Sequence, residues 1–169
     1  MTYIEDIECL FPKSLSEAFA LLADDKTRGR LMAGGTDLMV QWASGVLPVP
    51  ERVIDVLNLP ELKEIRETPD AVEIGAGVTH MQLRSSPAVR QGVPALAAAA
   101  ATVGGIQIQS RGTLGGNVAN ASPAGDLAPA LMITGGCVVL ASARGERKVE
   151  LNRFYLGYRK LDLRPEELI

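Results

Sequence analysis

The sequence is short of the residues that most often carry chemistry. Its 169 residues include one histidine, His80, and two cysteines, Cys9 and Cys137. None of the three stands at a metal-ligand spacing from another. A zinc or iron–sulfur site built by this chain is therefore not expected, and the cysteines read as two reduced structural thiols. A lone histidine at a helix start more often caps or packs than catalyses, and no serine, cysteine or acid pairs with His80 by spacing. Clustered positive charge is also missing. The net charge is −3 with pI ≈ 5.2, and Arg144-Gly145-Glu146-Arg147-Lys148 is interrupted by an acid, so it reads as a solvated hairpin. That argues against a nucleic-acid-binding face. No run reaches the roughly 18 apolar residues of a membrane span, and no basic N-terminal region leads into an apolar one, so a soluble, cytoplasmic protein is expected. No internal repeat with a period of about 20 to 50 residues is present.

What the chain does have is a hydrophobic content of 47%, enough for a core at the size of one domain, and 17 glycines. Ser14 and Glu17 have capping-box spacing, and Leu15, Ala18, Phe19 and Leu22 form one face of a helix over residues 15–24. Residues 3–11 mix apolar and acidic side chains before it. Arg30-Leu31-Met32-Ala33 reads as a short strand, then Leu38 to about Ala43 as a helix with Thr36 or Asp37 as its N-cap. Strands are expected at 52–56 and 71–74, a short helix at 79–83 ended by Ser86-Pro87, and a buried, alanine-rich helix at 93–103. Gly104-Gly105 closes that helix, and Ile106-Gln107-Ile108-Gln109 alternates as a strand. A helix at 127–134 and a hairpin of 136–141 with 147–151 follow. The tail ends on the apolar pair Leu168-Ile169, as a strand would begin. Mixed helix and strand at unequal spacing gives an α+β fold in two lobes, residues 1–57 and about 58–169.

Two glycine pairs stand out. Gly34-Gly35 is followed by Thr36-Asp37-Leu38. Gly115-Gly116 lies in a run from Arg111 to Ala130 that holds no lasting period and reads as a shaped loop. Paired glycines let a backbone approach a ligand and adopt positive φ, so that successive N–H groups converge on an anion such as phosphate; the plainer alternative is a tight turn. A pyrophosphate-containing ligand such as a dinucleotide would meet donors from both segments, with Thr36, Thr113, Asn117 and Ser122 adding side-chain donors. Asp126 suits sugar hydroxyls or ring N–H groups rather than phosphate, and the N-cap of the next helix, two roles that are compatible. Gly75-Ala76-Gly77-Val78-Thr79-His80 nearly matches G-x-G-x-x-G. His80 stands in the third glycine's place and no acid follows about 20 residues on, so a Rossmann reading is rejected.

Leu31 to Leu38 (Leu31, Met32, Ala33, Gly34, Gly35, Thr36, Asp37, Leu38), with Arg111-Gly112-Thr113-Leu114-Gly115-Gly116-Asn117 and Ala121-Ser122-Pro123-Ala124-Gly125-Asp126-Leu127, resemble the FAD-binding, or medium, subunit of molybdenum hydroxylases. Carbon monoxide dehydrogenase and xanthine dehydrogenase belong to that group. The resemblance covers essentially the whole chain in order. It implies a two-lobed PCMH-type FAD-binding fold with the cofactor between the lobes. The segments matching Leu31 to Leu38 and Thr113 to Asn117, Gly115 and Gly116 included, would wrap the pyrophosphate, and Asp126 would contact the cofactor. It also implies electrons arriving from [2Fe–2S] clusters of a small subunit that a molybdopterin large subunit feeds, with NAD or a quinone as acceptor. This chain would not itself be catalytic toward the organic substrate. Such subunits usually continue into a further C-terminal domain of about a hundred residues, which on this reading is expected to be missing, and Val103 stands where animal xanthine dehydrogenases place an aromatic residue over the flavin.

Two other readings compete. One is a non-catalytic docking module that keeps the fold but not the flavin. The other is a free-standing reductase of the UDP-N-acetylenolpyruvoylglucosamine type, disfavoured because no general acid with a partner is evident.

Overall fold

The computed structural model describes residues 7–26 and 28–169. The beginning of the 3–11 segment lies outside them. The chain opens with two β–α steps: β1 (Glu8–Leu10), α1 (Leu15–Ala23), β2 (Arg30–Met32), α2 (Leu38–Ala43) and β3 (Arg52–Asp55). The strands form a parallel sheet in the order β1-β3-β2, in which Val53 and Ile54 of the central strand are buried. α1 starts where the sequence places it, because Ser14 Oγ accepts the Glu17 N–H at 3.2 Å. The expected reciprocal bond is shifted by one residue: the Glu17 carboxylate accepts the Lys13 N–H at 2.8 Å. Ala18 and Leu22 are buried and Leu15 and Phe19 pack beside them, joining Ile54, Val56, Leu59, Leu62 and Leu168 in one apolar cluster.

After a 3₁₀ turn at Pro60–Leu62, β4 (Ile65–Glu67) and β5 (Val72–Ile74) make an antiparallel pair. Six short helices follow: α3 (His80–Ser85), α4 (Pro87–Gly92), α5 (Pro94–Thr102), α6 (Ile106–Arg111), α7 (Leu114–Asn120) and α8 (Leu127–Ile133). Then come the hairpin of β6 (Cys137–Ser142) with β7 (Gly145–Glu150), α9 (Leu151–Phe154), and the small pair β8 (Tyr155–Gly157) and β9 (Lys160–Leu161). A second apolar cluster runs through α3, α4, α5, α7 and α8 to the hairpin, with Leu83, Leu96, Leu127, Leu140 and Phe154 essentially inaccessible. Each such side chain contributes about 1.5–3 kcal/mol relative to exposure.

Several expectations are corrected here. The Ile106–Gln109 segment is helix, not strand. Its alternation carries no face: Ile106 is 54% and Ile108 38% exposed, whereas Gln109 turns inward at 4%. There its amide donates to the carbonyls of Ala101 at 3.0 Å and Gly104 at 3.4 Å, and its oxygen accepts from Arg84 at 2.7 Å. Satisfying the open end of α5 outweighs the apolar pattern. Ser86 does end α3, but it also caps a helix that was not expected, α4, by accepting the Val89 N–H. The alanine-rich α5 is buried on one side only, through Leu96, Ala97 and Ala100. Cys9 and Cys137 are exposed rather than structural.

The hairpin arginines are not simply solvated either. Arg147 donates to both carboxylate oxygens of Glu167, at 2.7 and 2.9 Å, and to Asp162 at 2.8 Å, while Arg144 pairs with Glu166. These contacts fasten the C-terminal segment to β7. Beside them Leu168 exchanges two backbone hydrogen bonds with Ala141, each 2.8 Å.

Candidate functional site

The two glycine pairs meet. β2 runs into the Gly34-Gly35 turn, with Gly35 at φ +72°, a left-handed conformation that glycine adopts without steric cost. A methyl placed on Gly34 would stand 2.0 Å from the carbonyl oxygen of Arg111 and 3.0 Å from Gly112 Cα. The first turn therefore rests on the backbone just before the second pair. Between them lies a cleft of about 100 Å³ lined by Arg30, Leu31, Ala33 to Leu38, His80, Gly112, Thr113, Gly116, Asn117, Ala119 and Asn120. Complete small-molecule sites run to about 300–1,000 Å³, so this cleft accommodates a fragment of a cofactor, not all of one.

The donors of the first segment are open. Among the described residues, the N–H groups of Gly34, Gly35, Thr36, Asp37 and Leu38 donate to no protein acceptor. Helical geometry begins early here, since the Met39 N–H already donates to Gly35 O at 3.0 Å. Asp37, expected as a cap, stands at the N-cap position with helical angles (φ −90°, ψ −45°) and makes no cap hydrogen bond. Its angles explain this: a capping side chain reaches back from an extended residue, not from one already in the helix.

The second segment is not a loop. Gly115 and Gly116 sit in the first turn of α7, with Thr113 as N-cap. The Leu114 N–H donates to Val78 O at 2.9 Å and the Gly115 N–H to Ala76 O at 2.8 Å. The Gly116 N–H goes to Thr113 Oγ1 at 3.1 Å and the Asn117 N–H to Thr113 O at 2.9 Å. All four donors are engaged within the protein. The glycines serve close packing: a methyl on Gly115 would lie 2.6 Å from Ala76 Cβ, and one on Gly116 would lie 2.9 Å from Thr113 Oγ1.

Met32, Gly115, Ser122 and Asp126 lie outside the cleft lining. Met32 Sδ would lie 3.3 Å from a Cβ on Gly35 and so props the turn from the side. Ser122 closes the turn after α7, accepting the Ala124 N–H on Oγ and the Gly125 N–H on its carbonyl. Asp126 stands at the N-cap position of α8 with helical angles and makes no cap bond, so its expected capping role is not realised.

Arg30, His80, Gly112, Ala119 and Asn120 complete the lining without having been singled out as site residues. Asn120 Oδ1 accepts from Gln41 Nε2 at 3.0 Å and from Arg159 Nη1 at 3.1 Å. One oxygen thus ties α2 and the β8–β9 turn to the end of α7. His80 follows Thr79, whose capping box with Gln82 starts α3; the T-x-x-Q spacing was legible as a helix start. The His80 N–H donates to Gly112 O at 3.0 Å, and the Cδ2–Nε2 edge of the ring packs on Gly112, 2.9 Å from where a Cβ would be. The side chain is 2% exposed, and its Nδ1 is buried with no hydrogen-bond partner among the described residues. Burial holds the imidazole below its usual value, against a smaller opposite pull from the carboxylates of Asp37 and Asp126.

The lining offers N–H donors, a guanidinium, hydroxyls, amides, one carboxylate and one imidazole, and no serine or cysteine. Its N–H donors and guanidinium are groups that can hold an anion. Residues 5–169 match the model of the FAD binding domain in molybdopterin dehydrogenase. The chain belongs to this family of flavin-binding oxidoreductase domains, whose cofactor is FAD. It is 39% identical over 159 residues to the nicotinate dehydrogenase FAD-subunit of Eubacterium barkeri, covering 91% of this chain and 52% of that protein. It is 40% identical over 147 residues to the carbon monoxide dehydrogenase medium chain of Hydrogenophaga pseudoflava, covering 86% and 50%. Among solved structures, carbon monoxide dehydrogenase from the same organism, lacking the Mo-pyranopterin moiety of its cofactor, superposes with a TM-score of 0.93 at 33% identity, covering 99% of this chain and 58% of that one. Quinoline 2-oxidoreductase from Pseudomonas putida 86 gives 0.92 at 31%, with the same coverage. The chain spans about half the length of the curated relatives it matches.

Proposed function

We propose that this chain holds FAD for an electron-transfer subunit of a molybdenum hydroxylase, passing electrons from [2Fe–2S] clusters of a partner subunit to an external acceptor such as NAD or a quinone. The observation that carries the reading is the row of open N–H donors from Gly34 to Leu38, in residues that line a cleft closed on its other side by Gly112, Thr113, Gly116 and Asn117. Converging backbone donors at a glycine turn fit a pyrophosphate, and Arg30 adds a positive charge to the same lining. The residues present therefore suit the cofactor.

The chain's own work in this reading is binding and positioning. Residues 30–38 of the first lobe (1–57) grip the pyrophosphate from one side, and the second lobe (58–169) supplies the opposite wall. Met32 props the Gly35 turn of the first side and Gly115 packs α7 against Ala76, each from outside the cleft, and Ser122 and Asp126 serve parts of the cofactor beyond it. When bound, FAD supplies the redox chemistry, and this protein contributes orientation and electrostatics. The molybdopterin large subunit and iron–sulfur small subunit belong to this proposal, supported by relatives whose names describe them as FAD-subunits or medium chains. So does a cytoplasmic setting, for which two exposed free thiols are suited.

Titration of the purified protein with FAD, followed by flavin absorbance and fluorescence, is the test. Saturable binding near one flavin per chain is expected, and anaerobic bleaching on adding a reduced iron–sulfur partner subunit would support the electron route. A cooperatively folded protein that ignores FAD would overturn the reading.

A further inference from the structure

We propose that His80 is a binding residue of the flavin site and takes up a proton as the cofactor's pyrophosphate enters the cleft. This inference rests on the flavin reading above. His80 is the chain's only histidine, it lines the cleft, and it is 2% exposed. A buried polar atom without a partner is costly, and native structures rarely keep one that has no use. Nδ1 of His80 is the one such side-chain atom among the described residues. Two polar neighbours in the chain are engaged elsewhere: the Gly112 carbonyl is taken by the His80 N–H, and Thr79 is occupied by its capping box with Gln82.

The charges around the ring determine how it responds. Asp37, from the first glycine segment, and Asp126, before α8, act on it. Arg30 shares the cleft, Arg111 ends the adjoining α6, and Arg90 lies on α4. Arg84, on its own helix, is held by Gln109. α5, packed against α3, carries no titratable side chain. In this setting burial favours the neutral imidazole. A pyrophosphate brings negative charge, and its oxygens can only accept hydrogen bonds. The imidazolium presents N–H on both ring nitrogens where the neutral ring presents one, and it offsets charge that the two nearby carboxylates cannot. Cofactor binding and protonation therefore favour each other. By linkage, affinity falls as pH rises, by at most about tenfold per pH unit for one proton.

Because the histidine is unique, its ring resonances can be followed by NMR in the unaltered protein. The expected result is an imidazole that titrates at least about one pH unit higher with FAD bound than without. Calorimetric FAD titrations in buffers of different ionisation enthalpy should show net proton uptake between pH 6 and 8, an interval about the ordinary histidine value. His80→Gln should bind FAD with a dissociation constant nearly independent of pH and about tenfold weaker at the acid end. FAD binding by the wild-type protein with no proton uptake and an unmoved His80 titration would overturn the inference while leaving the flavin reading intact. Proton uptake that persists in His80→Gln would overturn it as well. Absence of FAD binding by the wild-type protein at every pH would overturn the flavin reading, and this inference with it.

Discussion

Gly34-Gly35 and Gly115-Gly116 look alike in the sequence and do different work in the structure. At the first pair the glycines shape a turn, Gly35 at φ +72°, and among the described residues the N–H groups through Leu38 meet no protein acceptor in a segment that lines the cleft. At the second, the first four N–H groups of α7 are bound to Val78, Ala76 and Thr113. The missing side chains there make room for the neighbouring chain at Ala76 and Thr113. A glycine pair next to a helix start is therefore not by itself an anion site. The donors must also be left free, and that depends on whether another strand or a capping residue already occupies them.

The sharpest way to break the comparison is Gly34→Ala. Its methyl would meet backbone, the Arg111 carbonyl at 2.0 Å, which cannot rotate away. The two segments must separate, at a cost of about 3 kcal/mol or more. We expect denaturant unfolding to show that loss and flavin binding to disappear with it. Gly116→Val comes next. Its Cβ would lie 2.9 Å from Thr113 Oγ1, so the cap is displaced at a cost of about 1–2 kcal/mol, and the branched side chain enters the cleft. FAD affinity should fall by more than stability does. Gly115→Ala is the control, since Gly115 faces Ala76 and not the cleft: unfolding should be easier while flavin affinity in the folded protein stays nearly unchanged. If Gly115→Ala abolished binding in a folded protein, the distinction between the two pairs would fail.

How much of this was legible follows from where the signals lay. The α–β–α–β run from α1 to β3 was readable because each element carries its own local signal: Ser14 before the Leu15, Ala18, Phe19, Leu22 stripe, and an apolar strand before Gly34-Gly35; β1 (Glu8–Leu10) was not, because residues 3–11 mix apolar and acidic side chains without a clear period. Of the segment Leu31 to Leu38, all but Met32 line the cleft, and the Gly34-Gly35 turn that draws attention to it is a local signal of the same kind. α7 was not legible. Its sequence, Leu-Gly-Gly-Asn-Val-Ala-Asn, is poor helix material, and it is helical because Val78, Ala76 and Thr113 take up its first donors, partners that no local pattern announces. α6 was misread because alternation in Ile106-Gln107-Ile108-Gln109 mimics a strand, whereas the deciding contact is Gln109 with the end of α5. His80 joined the site only in three dimensions, through Gly112.

A smaller effect comes from outside the cleft. Glu167 is 4% exposed and pinned by Arg147, whose guanidinium hydrogen bonds hold its carboxyl down at about 2 from an ordinary 4.5. A carboxyl depressed in the folded state stabilises the fold above its unfolded value, and that stabilisation is lost as pH falls through the folded one. Stability should thus decline from about pH 4.5 toward pH 2, and Glu167→Gln should flatten this slope while lowering stability at neutral pH. Glu167 lies among the contacts that fasten the C-terminal segment to β7 and touches neither glycine segment, so flavin affinity of the folded protein at neutral pH should be nearly unaffected. Loss of flavin in a folded Glu167→Gln would mean that the cleft depends on the C-terminal segment.

The smallest expected effect tests the converse case, a residue that is not glycine where backbone angles favour one. Ala121 ends α7 at φ 48°, ψ 38°, and its N–H donates to Val118 O at 3.2 Å. Left-handed angles cost an L-residue about 1–2 kcal/mol, so Ala121→Gly removes strain. The same change gives up a methyl that is 8% exposed, worth about 0.8 kcal/mol, and adds about 0.5–1 kcal/mol of backbone entropy cost. The terms nearly cancel. Unfolding free energy should move by less than about 0.5 kcal/mol either way, within the scatter of such substitutions, with flavin content unchanged. A gain well above that would show strain at Ala121 that packing does not offset, and a loss of about 2 kcal/mol would show that its methyl, like the absent ones at Gly115 and Gly116, is set by the fit of α7 to its neighbours.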